Sequence, residues 1–186
     1  MRILITGLKG GSGKSTIAYS IIKDFLKSGI VLDLDYTLTL TKLLKDENFK
    51  ILSIGNSKID KKYFEFIYTK SLRNEDNVII DSSNPFNEII PLENKVYSEN
   101  KRESITYALF VTPPLFMEKT LDLAKTYDRF ITSLSPTELR KILVINFVKD
   151  NEDISINEIN YVKIPFLRHY MYKYYIPLGD LKWLNP

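Results

Sequence analysis

The chain of 186 residues contains no cysteine and a single histidine, His169. Without thiols, disulfide frameworks, thiol nucleophiles, thiolate zinc sites and cysteine-ligated iron–sulfur clusters are excluded together. One histidine argues against a multi-histidine metal centre and against a Ser-His-Asp triad. Long apolar runs are missing too. No stretch approaches the roughly 18 to 20 uncharged residues of a transmembrane helix, and the N-terminus reaches a glycine-rich loop too soon to hold a signal peptide. A cytoplasmic protein with no transmembrane segment is therefore expected. Glycine (7) and proline (8) are too few for a collagenous or low-complexity chain. Nor does charge of one sign dominate: 26 Lys and Arg against 23 Asp and Glu leave +3, too mild a bias to argue for nucleic acid or anionic lipid without clustering.

What is present suits a folded domain. Hydrophobic residues make up 44%, with 12 Tyr and 10 Phe, and the length fits one domain, expected over 1–186. Arg2–Thr6 reads as a short apolar strand, followed by a glycine loop and then by Ser15–Lys27 with Ile17, Ile21, Ile22 and Phe25 at helical spacing. Ser28-Gly29 ends that helix, and Ile30-Val31-Leu32 resumes as a strand running into Asp33-Leu34-Asp35. Helical pieces are expected over Leu38–Glu47, Lys61–Leu72 and Leu115–Leu134, and strands at Ile51–Ile54, Val78–Asp81, Tyr107–Val111, Ile142–Ile145 and Tyr161–Ile164. The polar stretch Pro85 to Arg102 reads as a long surface loop or lid. Continuous apolar strands alternating with helices predict an α/β fold, a mostly parallel central sheet covered on both faces.

The chemistry concentrates in Lys9-Gly10-Gly11-Ser12-Gly13-Lys14-Ser15-Thr16. Glycines let the backbone curl so that successive N–H groups point at a phosphate, and the following helix adds its positive N-terminal end. Lys14 is placed to neutralise the β- and γ-phosphates, and the Ser15 hydroxyl to ligate Mg²⁺. The pattern departs from G-x-x-x-x-G-K-[ST], because Leu8 stands where the first glycine belongs and Lys9 precedes the double glycine.

K-G-G-x-G-K-S-T resembles the deviant Walker A loop of the ParA/MinD family of P-loop ATPases, which partition plasmids and position division sites. The resemblance implies Mg-ATP as ligand and an ATP-sandwich homodimer in which Lys9 reaches the partner's nucleotide. A solvated loop cation is the other reading of Lys9. Asp33 and Asp35 resemble the family's D-x-D, which implies that Asp33 supports the metal region and Asp35 orients the attacking water; caps for the next helix are the plainer reading. Tyr36-Thr37 replaces the Pro-Gln that often follows there. Val78-Ile79-Ile80-Asp81 resembles Walker B, implying a metal role for Asp81, and Ser82-Ser83-Asn84-Pro85 stands in the place of the switch stretch. Asn146, at the end of Leu143–Asn146, matches the residue that touches adenine, unless it is an ordinary turn former. Ile164-Pro165-Phe166 is similar to the loop that closes over the purine.

The implied function is ATP hydrolysis coupled to dimerisation, non-specific DNA binding for partitioning, and stimulation by a ParB-like or other activating partner. A MinD-like membrane-associated ATPase is one alternative. Another is a ligase or kinase resembling dethiobiotin synthetase, which predicts cations such as Lys95, Lys101 and Arg102 in the Pro85–Arg102 loop. Near the C-terminus, Arg168, Lys173 and Lys182 are interspersed with Tyr170, Tyr172, Tyr174, Tyr175 and Trp183. They read either as a grip for nucleic acid or an interface, or as a packed terminal helix with half-buried tyrosines.

Overall fold

The structure, a computed structural model, describes residues 1–45, 48–55, 59–101, 105–132, 139–149, 152–166 and 174–178. Seven strands form one sheet: β1 Arg2–Thr6, β2 Gly29–Asp33, β3 Phe49–Ser53, β4 Val78–Asp81, β5 Thr106–Thr112, β6 Leu139–Val148 and β7 Asn160–Pro165. Their spatial order is β3-β2-β4-β1-β5-β6-β7, and every pairing is parallel. β1, β2, β4 and β5 are buried at every residue. That explains why they read as unbroken apolar runs rather than as alternating ones.

Side chains leave a strand on alternate sides, so each central strand feeds two cores. Ile3, Ile5, Val31, Ile79, Leu109 and Val111 pack with Ile17, Ile21 and Ile22 of α1 (Lys14–Phe25) and Leu40 of α2 (Thr39–Leu43). On the other face Leu4, Leu32, Ile80, Ala108 and Phe110 meet Phe64 and Tyr68 of α3 (Lys61–Leu72), Ile90 and Tyr97 of α4 (Ile89–Asn100) and Tyr127 of α5 (Met117–Thr132). Among the described residues no helix is long and apolar enough to cross a membrane.

The expected Pro85–Arg102 loop is corrected by the structure, which holds α4 there. Pro91 falls in the first turn of that helix, where a missing N–H costs nothing. The polar look of the stretch also misleads, because Glu93 and Asn94 point inward and are fully buried. Glu93 accepts from Arg2 Nε at 2.9 Å and pairs with Tyr68, so the interior holds an ion pair on the first residue of β1. Other boundaries shift modestly. A 3₁₀ turn at Pro114–Phe116 precedes α5, and α2 is shorter than the helical piece expected over Leu38–Glu47.

Residues 174–178 are not helical. They run along α1, Tyr175 donating to Asp24 Oδ1 at 2.7 Å, Leu178 N–H to Asp24 Oδ2 at 3.1 Å and Ile176 N–H to Ser20 Oγ at 2.9 Å. His169, Arg168, Tyr170, Tyr172, Lys173, Lys182, Trp183 and Arg102 lie outside the described residues.

Candidate nucleotide site

All parallel strands end at one edge of the sheet, and the glycine loop leaves β1 there. Gly7 must be glycine, since a Cβ would sit 2.2 Å from the Val111 carbonyl oxygen on β5. Gly13 is held at φ 91°, in the left-handed region, and its carbonyl accepts the first helical bond of α1 from Ile17 at 2.9 Å. Lys14, almost fully buried, donates from Nζ to the Lys9 carbonyl at 3.1 Å. The side chain of Lys9 takes another direction: it is exposed, with Nζ 5.4 Å from the ring centroid of Phe116.

β4 lies between β1 and β2, which sets Asp81 in register with both Asp33 and Ile5. Asp33 and Asp81 are both fully buried, but their surroundings differ. Asp33 accepts from the Thr41 N–H and hydroxyl at 2.8 Å each and from the Asp35 N–H at 3.2 Å. Burial raises its pKa, and the Thr41 bonds oppose the rise. Neither oxygen of Asp81 has a partner of normal hydrogen-bond geometry. Burial pushes that carboxyl up to about 7, with the charges of Asp33 and Asp35 adding to the rise and the nearby Ser15 hydroxyl and Lys14 opposing it. A buried carboxylate that the protein leaves unsatisfied fits a cation delivered with a ligand. Among the described residues no three acidic or histidine side chains form a metal site by themselves. This is the arrangement Mg²⁺ tolerates, since it takes one or two carboxylates and completes its shell with phosphate oxygens and water.

A cavity of about 550 Å³ opens at this edge. It brings together Gly10, Gly11, Gly13, Lys14, Ser15, Thr16, Asp35, Asn146 and Pro165. Lys9, Ser12, Asp33 and Asp81 do not line it. Asp35 is half-buried, and its Oδ1 accepts from the N–H and hydroxyl of Thr37 at 3.0 Å each. Asn146 is fully buried; its Nδ2 donates to the Ser12 carbonyl at 2.9 Å and its Oδ1 accepts from the Phe147 N–H at 3.0 Å. Lys14 is the one cationic side chain among the described lining residues. Tyr36, Phe147 and Tyr174 also line the cavity and carry no motif. The signal that could have found Tyr36 and Phe147 is position: a large aromatic at or just past the C-terminal end of a buried strand, Phe147 being the penultimate residue of β6 and Tyr36 lying three residues beyond β2.

A family model described as the CobQ/CobB/MinD/ParA nucleotide binding domain matches residues 3–173. No curated protein matches the sequence. Among solved structures, chloroplast FtsY from Physcomitrella patens is similar at 14% identity, TM-score 0.48, over 77% of this chain and 49% of that one. The signal recognition particle receptor FtsY from Elizabethkingia anophelis, in complex with GDP, is similar at 15% identity, TM-score 0.47, over 78% and 48%. The chain thus spans about half the length of each of those structures.

Proposed function

This chain belongs to the CobQ/CobB/MinD/ParA nucleotide-binding domain family, and from that premise we propose that it is a ParA-like, Mg-ATP-driven switch. The observation that carries the reading is the shared cavity: the phosphate loop with Lys14 and Ser15 on one wall, Asp35 on the other, and the unsatisfied Asp81 buried at the adjoining strand end. The backbone N–H groups of the loop and the start of α1 bind phosphate oxygens, and Lys14 leaves the Lys9 carbonyl to neutralise them. Ser15 and Asp81 would hold Mg²⁺, which would supply charge neutralisation at the phosphates. Asp33 keeps this region in place through its bonds to Thr41 and Asp35. Asp35 orients the attacking water, so catalysis is positioning and electrostatics with no covalent intermediate.

Lys9, exposed beside the loop, is free to cross a dimer interface to the partner's nucleotide. Non-specific DNA as the matrix and a ParB-like activator complete this reading, supported by the K-G-G start of the loop and by family membership. The small-molecule ligase is less well supported. Its cationic loop is α4, and neither Lys95 nor Lys101 lines the cavity.

The test is the molar mass of Asp35→Ala with and without Mg-ATP, then salt-dependent retention of arbitrary duplex DNA by the same sample. An ATP-dependent dimer that holds DNA at low salt supports the switch. A mass unchanged by ATP, with no DNA retained, overturns it.

A further inference from the structure

Asp35 lies on the wall of the cavity, and the turn that follows β2 holds it from several sides. Its N–H donates to Asp33 Oδ1 at 3.2 Å, and its carbonyl accepts from the Leu38 N–H at 3.1 Å. Its Oδ1 takes two donors from one residue, the N–H and the hydroxyl of Thr37, each at 3.0 Å. Among the described residues Oδ2 accepts no hydrogen bond.

Thr37 is held in turn. A hydroxyl has one proton, and that of Thr37 is spent on Asp35, so the 2.8 Å contact between the two threonine hydroxyls runs one way only, Thr39 donating to Thr37. Lys42 Nζ donates to the Thr37 carbonyl at 2.9 Å. Between the two threonines Leu38 sits at φ 48°, a left-handed conformation that a bulky side chain keeps only where its surroundings impose it. Thr37 and Thr39 line the same cavity as Asp35, so a directed row of hydroxyls runs along its wall and ends on the carboxylate.

We infer that Thr37 is a positioning residue for hydrolysis: its hydroxyl, backed by Thr39, fixes the Asp35 carboxylate through Oδ1 and leaves Oδ2 to accept from the attacking water. This rests on the nucleotide reading above and adds Thr37 to it. A carboxylate is planar, so two donors on one oxygen set the place of the other, and a misplacement of about 1 Å at a reacting centre costs about 100-fold in rate. Orientation is all that is asked of Asp35. The water oxygen bonds the terminal phosphorus as the bridging P–O bond breaks, ADP leaves, and both protons of the water depart on the phosphate. A turn that Thr37 closed for the sake of the backbone alone would have the same hydrogen bonds but a different kinetic signature.

The experiment is single-turnover hydrolysis of Mg-ATP by the full chain, with the nucleotide affinity of each protein measured at equilibrium. Thr37→Val should slow hydrolysis by about 10- to 100-fold and leave affinity unchanged, since the hydroxyl acts only in the transition state. Thr37→Ala should match it, and Thr37→Ser, which keeps the hydroxyl, should restore the rate. In a protein already carrying Asp35→Ala, Thr37→Val should cost nothing further, because no carboxylate is left to hold. Wild-type turnover in Thr37→Val overturns the inference, as does a Thr37→Ser protein no faster than Thr37→Ala, or an equal loss with and without the Asp35 carboxylate. Weakened binding with an unchanged rate at saturation also overturns it and makes Thr37 a ligand of the nucleotide instead. A wild-type chain that binds nucleotide without hydrolysing it, or hydrolyses it as fast after Asp35→Ala, removes the roles of Asp35 and Thr37 together while binding stands; a chain that binds no nucleotide overturns the nucleotide reading itself.

Discussion

Asp33, at the end of β2, accepts hydrogen bonds from both the backbone N–H and the hydroxyl of Thr41, each at 2.8 Å. Thr41 lies in the first turn of α2, whose own cap position is Leu38 at φ 48° with no side-chain bond to offer. A carboxylate from the neighbouring strand therefore does the work of an N-cap, satisfying a helical N–H that would otherwise be unpaired.

Asp33→Ala should accordingly destabilise the nucleotide-free protein by about 1–3 kcal/mol. Thr41→Val should cost less, and the double variant should show a coupling of about 1 kcal/mol in urea denaturation. Additive losses would mean that the two residues act separately.

At Asp81 the sign of the pH dependence follows from burial. Its folded pKa stands at about 7 against an ordinary 3.8, so ionisation favours the unfolded chain. Stability present below pH 4 is lost as pH rises to 7 and beyond, by at most about 4 kcal/mol. Asp33, also raised, acts in the same direction. Asp81→Asn should remove most of this slope, making the nucleotide-free variant more stable than the wild type at pH 8 but not at pH 4. Thermal melts across that range check it, and parallel curves for the two proteins would contradict it.

The ion pair in the core makes a separate demand. Arg2 and Glu93 are both fully buried, and the carboxylate beside the guanidinium raises the arginine pKa. Glu93→Ala should cost about 3–5 kcal/mol by stranding a buried charge, while Arg2→Met with Glu93→Leu should recover most of the loss. Chemical denaturation of the three proteins decides the matter.

Two glycines of one loop should respond oppositely to the same change. A Cβ at Gly10 meets nothing within 4 Å, so Gly10→Ala should shift stability by less than about 0.5 kcal/mol. At Gly13 the backbone is left-handed and Asn146 is in the way, so Gly13→Ala should cost about 1–3 kcal/mol and weaken nucleotide binding. Melting temperatures and nucleotide titrations of the pair make the comparison.

The two lysines of the loop separate binding from assembly. Lys14→Ala should lower nucleotide affinity by about 100-fold. Lys9→Ala, at an exposed position, should bind nucleotide as the wild type does yet fail to dimerise with ATP. Light scattering at saturating nucleotide distinguishes them, and an intact Lys9→Ala dimer would leave the residue as a solvated cation.

The sheet and the phosphate loop were legible in the sequence because both obey local rules. Ile3 to Ile5, Val31, Leu32 and Val78 to Ile80 form unbroken apolar runs, and Gly11 and Gly13 sit where φ is positive. The helix at Ile89–Asn100 was not legible, because Glu93 and Asn94 look like solvated residues until Arg2, 91 positions away, is seen beside Glu93. The same limit hid the engagement of Asn146 with Ser12, a contact spanning 134 positions. Phe147 escaped for another reason: one aromatic near the end of an apolar strand reads like any core residue.

The place of β4 between β1 and β2 has a consequence for the order in which the molecule matures. During synthesis the loop that follows β1 emerges early, but with β2 present and β4 still absent the two strand ends cannot be joined. Asn146, Phe147 and Pro165, which also line the cavity, arrive later still, with β6 and β7. The loop therefore becomes competent only after strands that follow it have paired, and a nascent chain halted before β6 holds a complete phosphate loop without Asn146, Phe147, Pro165 and Phe166 around it.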